Sequence, residues 1–292
     1  MTSFFDEIRK NKIKSMLLIF LVIPMFILLA YAIAEVYNPE MSFLFITIAS
    51  IIAITQIFIS YYKGDKIILK ITGAKPATKP KYTRLINIVE GLSIAAGIPS
   101  PKVYVIENPD INAFATGRDP KHASIAVTTG AIEKLNKEEL EGVVGHEISH
   151  IKNFDIKFMT LVSVLIGLVV IVSNIFLRSL WFRGSDRRNK NGILLLIGLA
   201  LAILAPIAVK LIQLAISRKR EFLADASSAQ LTRYPNGLAS ALEKIKMHNE
   251  GKLQVSDAVA PLFIAEPKKK RLANLFSTHP PIEERIKRLR EM

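Results

Sequence analysis

The chain has 292 residues, half of them apolar and only 22% charged, yet Lys and Arg outnumber Asp and Glu by 39 to 25, a net charge of +14. Disorder is excluded by the apolar content. The absence of cysteine excludes a disulfide scaffold, thiolate metal sites and cysteine nucleophiles. A mean hydropathy of +0.32 beside a basic excess points to a membrane surface rather than to nucleic acid.

Two apolar runs open the chain, at 16–34 and 41–62, and two more follow at 158–177 and 193–216. A spanning helix needs about 20 predominantly apolar residues. The second and third runs carry no charge, Pro24 predicts a kink in the first, and Lys210 lies late in the fourth. All four are read as membrane helices. Arg9, Lys10, Lys12 and Lys14 precede the first run, and Lys63, Lys66, Lys70 and Lys75 follow the second, whereas the link between them holds only Glu35 and Glu40. The positive-inside rule therefore places the N-terminus and everything after residue 62 on the cytoplasmic side. Arg178, Arg183, Arg187, Arg188 and Lys190, between the third and fourth runs, go against that rule if the second hairpin spans.

Between the hairpins, 82–97 reads as a helix with Leu85, Ile88 and Leu92 on an apolar face. Residues 102–106, 112–116 and 123–128 read as strands separated by Asn108-Pro109-Asp110 and Gly117-Arg118-Asp119-Pro120, a small antiparallel sheet by expectation. A short helix begins near Gly130. Asn136 caps a longer one, with Glu138 and Glu139 in the first turn, where the helix dipole favours them.

That longer helix carries His146-Glu147-Ile148-Ser149-His150. Imidazoles four residues apart project from one face and suit two nitrogen ligands on one Zn²⁺. Glu147 is turned toward the same space as a general base. The chance expectation for this pattern in a chain with five histidines is far below one.

A third ligand must come from elsewhere: His122, His248 and His279 remain, and the carboxylates include Glu221 and Asp225. Reach favours Glu221. From His150 through the third run and back through the fourth, each arm is about 30 residues, roughly 45 Å of continuous helix. Two equal arms return Glu221 to the level of His150. Asp225, one turn on, is placed to accept the second ring N–H of His146.

With these residues assembled, the chain resembles the HtpX group of integral-membrane zinc metalloproteases, relatives of the CAAX prenyl endopeptidases. The likeness rests on His146-Glu-Ile-Ser-His150, on Ser217-Arg-Lys-Arg-Glu221-Phe-Leu-Ala-Asp225 and on Ser277-Thr-His279-Pro-Pro281. It implies zinc held by His146, His150 and Glu221, with Glu147 catalytic and a role in membrane-protein quality control. It also implies that Asn112 and Ala113 lie on the edge strand that binds substrate backbone. By the same resemblance, His279, ahead of a final amphipathic helix from Ile282, touches substrate or stabilises the oxyanion.

The expectation is a mostly α membrane protein with four apolar helices and an α+β zincin-like domain. Its segments are a membrane hairpin (1–62), half a catalytic domain (63–157), a second hairpin (158–216) and the other half (217–292). The expected function is a multi-pass zinc endopeptidase of the cell membrane, facing the cytoplasm. It would act by Glu-assisted attack of zinc-bound water on membrane proteins or unfolded polypeptides, with the lipid bilayer as its other partner. A membrane scaffold or chaperone-like protein with a closed structural zinc is the rival reading; Glu147 beside His146 argues against it, because a structural site has no use for a base.

Overall fold

The computed structural model describes residues 42–164, 220–256, 258–265 and 279–292, with a few isolated positions besides. The apolar runs at 16–34 and 193–216, most of the run at 158–177, the arginine-rich link between the last two and the basic cluster at 268–271 lie outside the described residues.

Helix α1 (Ser42–Ile71) is uncharged over its first two-thirds and continues unbroken past Tyr62. Phe43, Ile51 and Phe58 on its outer turns are exposed, and among the described residues it alone is long and apolar enough to cross a membrane. Its C-terminal end is different: Ile68 and Leu69 are buried against the sheet. After the two-residue strand β1 (Lys75–Pro76), α2 (Thr83–Ala96) ends at Gly97, whose φ of 70° is the left-handed geometry glycine takes without cost.

Strands β2 (Lys102–Ile106), β3 (Ala113–Gly117) and β4 (Ala123–Thr128) complete a sheet of order β1-β2-β4-β3. β3 and β4 form an antiparallel hairpin, but β2 and β4 run parallel, Lys102 opposite Ser124 through Ile106 opposite Thr128. The sheet is mixed, not antiparallel. The chain from β2 crosses past the place of β4 before β3 forms, so β4 enters between them. Every residue of β4 is buried, as in a central strand covered on both faces. One face, with Val105, Ala113, Ala115, Ile125 and Val127, joins Leu85 and Val89 of α2 in the main core. The other, with Ile106, Phe114 and Ala126, packs on the end of α1 and on residues 253–263.

After the short α3 (Thr129–Lys134), helix α4 (Lys137–Lys152) starts with a reciprocal cap. Asn136 Oδ1 accepts the Glu139 N–H at 2.9 Å, and the Glu139 carboxylate accepts the Asn136 N–H at 2.8 Å. Leu140, Val143, Val144 and Ile148 are fully buried on α2, the sheet and α5 (Pro235–His248). Helix α6 (Ile282–Arg290) closes the same core with Leu289.

Helix α4 does not run on into the third apolar run. Asn153 ends it, Phe154 takes φ 59°, and a new helical segment starts at residue 155. The arm that leaves His150 is therefore not one continuous helix, as the reach argument assumed; the returning arm lies outside the described residues.

Candidate metal centre

The centre forms where α4 crosses the helical segment 220–232. Gly145 permits the crossing: a Cβ there would stand 2.8 Å from Ser228 Oγ. On the α4 side His146 and Glu147 are each 1% exposed, at the base of a cleft. Across it, Glu221 and Asp225 repeat at helical spacing on one face.

His146, His150 and Glu221 meet with their donor atoms within 4.8 Å of one another. His146 Nε2 lies 3.2 Å from His150 Nε2 and 3.6 Å from Glu221 Oε2, and His150 Nε2 lies 3.5 Å from Glu221 Oε1. Ligands about 2.0–2.1 Å from a tetrahedral ion stand about 3.3–3.4 Å apart, so the three donors fit one small cation with an open fourth position.

Each imidazole is oriented from behind. His146 Nδ1 donates to Asp225 Oδ1 at 2.9 Å, and Arg285 grips both oxygens of Asp225 at 2.7 and 2.9 Å. His150 Nδ1 donates to Asp155 Oδ2 at 3.0 Å, and Arg220 reaches Asp155 Oδ1 at 3.4 Å. These bonds leave both Nε2 atoms facing Glu221. His279 Nδ1 donates to Glu221 Oε2 at 2.9 Å. His122 is elsewhere, paired with Asp119 on an exposed turn, and His248 ends α5.

The charges are strongly coupled. Burial alone would lower the His146 pKa, but hydrogen bonds to Asp225 and Glu221 outweigh it and push it up to about 9. Burial would raise Asp225, yet the Arg285 guanidinium and the His146 hydrogen bond hold it at about 2. Glu221, buried as well, is held well below the usual carboxylate range by His279 and His146. A field that favours positive charge on His146 also favours a cation among the three donors. Glu147 moves the other way: burial raises it above an ordinary glutamic acid, against the pull of the two imidazoles.

The model of peptidase family M48 matches residues 80–292, which include every one of these groups. The chain belongs to that family. It is a metalloprotease. A protease HtpX homolog of Dictyoglomus thermophilum is 45% identical over 290 residues, covering 99% of this chain and 95% of its own length. A second, from Caldanaerobacter subterraneus subsp. tengcongensis, is 54% identical over 241 residues, 80% of each chain. The fold is similar to the crystal structure of S. mikatae Ste24p, with a TM-score of 0.53 at 22% identity. The match covers 96% of this chain and 65% of that one.

Of the residues singled out from the family likeness, His146, Glu147, His150, Glu221 and His279 all line one cleft. Asp225 lies directly behind His146. Ala113 is on the sheet's edge strand; Asn112 immediately precedes it and is buried. Arg285, Asp155 and Arg220 are the residues that sequence reasoning missed. Arg285 had a signal: it shares the stripe of Ile282, Ile286 and Leu289 on α6, where an apolar residue belongs. Asp155 had none beyond Asn153 as a helix stop, because a continuous helix would turn residue 155 away from His150.

Proposed function

We propose that this M48 metalloprotease is a zinc endopeptidase of the cell membrane, in which His146, His150 and Glu221 hold the metal and Glu147 is the general base. The observation that carries this reading is the spacing of the three donors beside a buried glutamate in an open-sided cleft. Two histidines and a carboxylate suit zinc among hydrolytic metals. Bound there, zinc polarises a carbonyl and makes a water molecule more acidic. Glu147 removes the proton of the attacking water as it adds to the scissile carbonyl carbon. It then delivers that proton to the amine nitrogen as the C–N bond breaks. His279, in the cleft and anchored on Glu221, is assigned the negative charge that develops on the carbonyl oxygen.

The proposed organisation is multi-pass: hairpins at 1–62 and 158–216, with the two halves of the catalytic domain, 63–157 and 217–292, on the cytoplasmic side. Support comes from the lysine pattern around α1 and from the foot of that helix. Tyr61 and Tyr62 lie there under Lys157 and Arg118, each cation 5.1 Å from a ring, as aromatic and basic groups gather at a bilayer surface. Substrates are then membrane proteins or unfolded polypeptides reaching a site beside the bilayer. A closed structural zinc would need four protein ligands; among the described residues the metal-compatible group has three.

The test uses full-length protein purified in detergent with a chelator, then given zinc and an unfolded protein. Wild type should cleave, while Glu147→Gln should keep its zinc and lose about 10²–10⁴-fold in turnover. Glu221→Ala should lose zinc. Full zinc occupancy in that variant would remove Glu221 from the ligand set.

A further inference from the structure

The edge of β3 beside the metal centre is taken. Residues 263–265 lie along it antiparallel, with Phe263 opposite Phe114 and the Ile264 N–H donating to the Ala113 carbonyl at 2.9 Å. Asn112 brackets the next residue, its Nδ2 donating to the Ala265 carbonyl at 2.9 Å and its Oδ1 accepting the Ala265 N–H at 3.3 Å. Arg285 Nη1 donates to the Ile264 carbonyl at 2.9 Å. Just before, at the level of Ala115, the 3₁₀ turn Ala260–Leu262 lifts the chain off the edge, and Pro261 to Ile264 form one wall of the cleft. Further along, the Gly117 N–H is held by Thr160 Oγ1 at 3.1 Å.

An unpaired edge adds an extended peptide through alternate backbone groups. Here those groups already have such a peptide, and it is part of the same chain. Its side chains are apolar: Phe263 and Ile264 are at most 1% exposed and Leu262 is 7% exposed. Phe263 and Leu262 fill a pocket floored by Phe114, Ile106 and the α1 residues Ile68 and Leu69. That pocket sits at the foot of the apolar helix.

We propose that residues 261–265 hold the place of a substrate strand, and that the segment exchanging for them is an extended, apolar stretch of polypeptide. This rests on the endopeptidase reading and names its substrate class. Displacing the strap uncovers the Phe263 and Leu262 sites beside α1, the Ile264 site in the main core, the Ala113 carbonyl, the Asn112 amide and an Arg285 N–H. Only a strand that refills these sites with apolar side chains and offers backbone groups to the other three offsets the loss. A polar segment does not. Asn112 and Arg285 become clamps on substrate backbone once the strap has left.

Two experiments test this. The first uses zinc-loaded full-length Glu147→Gln protein, so that nothing is cleaved, and follows amide hydrogen exchange across 261–265. A decapeptide with Leu-Phe-Ile at its centre should speed exchange at Ile264 and Ala265 by about tenfold or more; the same peptide with Ser-Gly-Ser there should not. Strap amides that stay protected at saturating Leu-Phe-Ile peptide, or that respond equally to both peptides, overturn the proposal. The second exploits the absence of cysteine in the chain. Phe114→Cys with Phe263→Cys places two thiols on facing positions of an antiparallel bridge, a spacing a disulfide can span. With zinc content unchanged, the oxidised form should cleave an unfolded protein at least about tenfold more slowly than the phosphine-reduced form. Equal cleavage by both would mean a fixed wall and no exchange. If wild type cleaves nothing, the endopeptidase reading fails by itself, and the exchange experiment still reports on the strap.

Discussion

The two imidazoles of the centre are supported by the same device built in two places. Behind His146 stand Asp225 and Arg285, brought from a distant helix and from α6, all at most 2% exposed. Behind His150 stand Asp155, five residues on, and Arg220, the neighbour of Glu221 in the chain. His146 is thus held from the protein's core. His150 is held by Asp155 and Arg220, which lie just before the apolar run at 158–177 and just after the one at 193–216. Arg220 also touches Met159 Sδ at 3.3 Å and lies over the Phe158 ring, so segments 155–164 and 220–232 are stapled beside the metal ligands. One half of the centre is built inside the core, and the other from residues next to the apolar runs at 158–177 and 193–216.

The sharpest way to break this comparison is to remove one arginine from each side. Arg285→Ala leaves Asp225 buried without its main counter-charge, and should cost about 3–5 kcal/mol of stability in chemical denaturation. Arg220→Ala should cost less, because its single bond to Asp155 is longer, 3.4 Å against the two-pronged grip of Arg285. Equal losses would erase the distinction.

Next come the carboxylates. Asp225→Asn and Asp155→Asn should each weaken zinc binding by about 10–100-fold, read by competition with a chelating dye. If the halves act independently, the double variant should show the sum of the two free energies to within about 0.5 kcal/mol. Only the Asp155 effect should change between a detergent micelle and a lipid bilayer, since only that pair adjoins the apolar runs at 158–177 and 193–216. The smallest effect belongs to the start of α4. Asn136→Ala removes one side of the reciprocal cap and should cost about 1 kcal/mol in stability. It lies three turns from the ligands, so zinc affinity should not change.

Much of the centre was legible because helices repeat. His146, Glu147 and His150 share a face by virtue of 3.6 residues per turn, and Asn136 with Glu139 announces where that helix begins. Glu221 and Asp225 share a second face for the same reason. The pairing of those faces was inferred from equal arm lengths. The faces do meet, although α4 breaks at Phe154.

That break shows what a single chain pattern leaves open. Phe154 in a left-handed conformation carries no marker in its own side chain, yet it swings Asp155 onto His150. Strand periodicity identified β2 and β4 without saying that they run parallel, because order in a sheet depends on which connection crosses which. Arg285 shares the apolar stripe of α6, but its burial follows from the partner that α6 meets.

By itself, then, the amino-acid sequence determined the local periodic parts of this protein: an apolar helix long enough for a bilayer, the strand segments, the capped helix and the ligand-bearing faces. These depend on residues within a few positions of one another, and short-range sterics and hydrogen bonding settle them. Only the tertiary structure decided the sheet order, the two carboxylate–arginine pairs behind the imidazoles and the strap along β3. Each of those joins residues far apart in the chain or across a sharp reversal, where the free energy lies in desolvated contacts that no local pattern encodes.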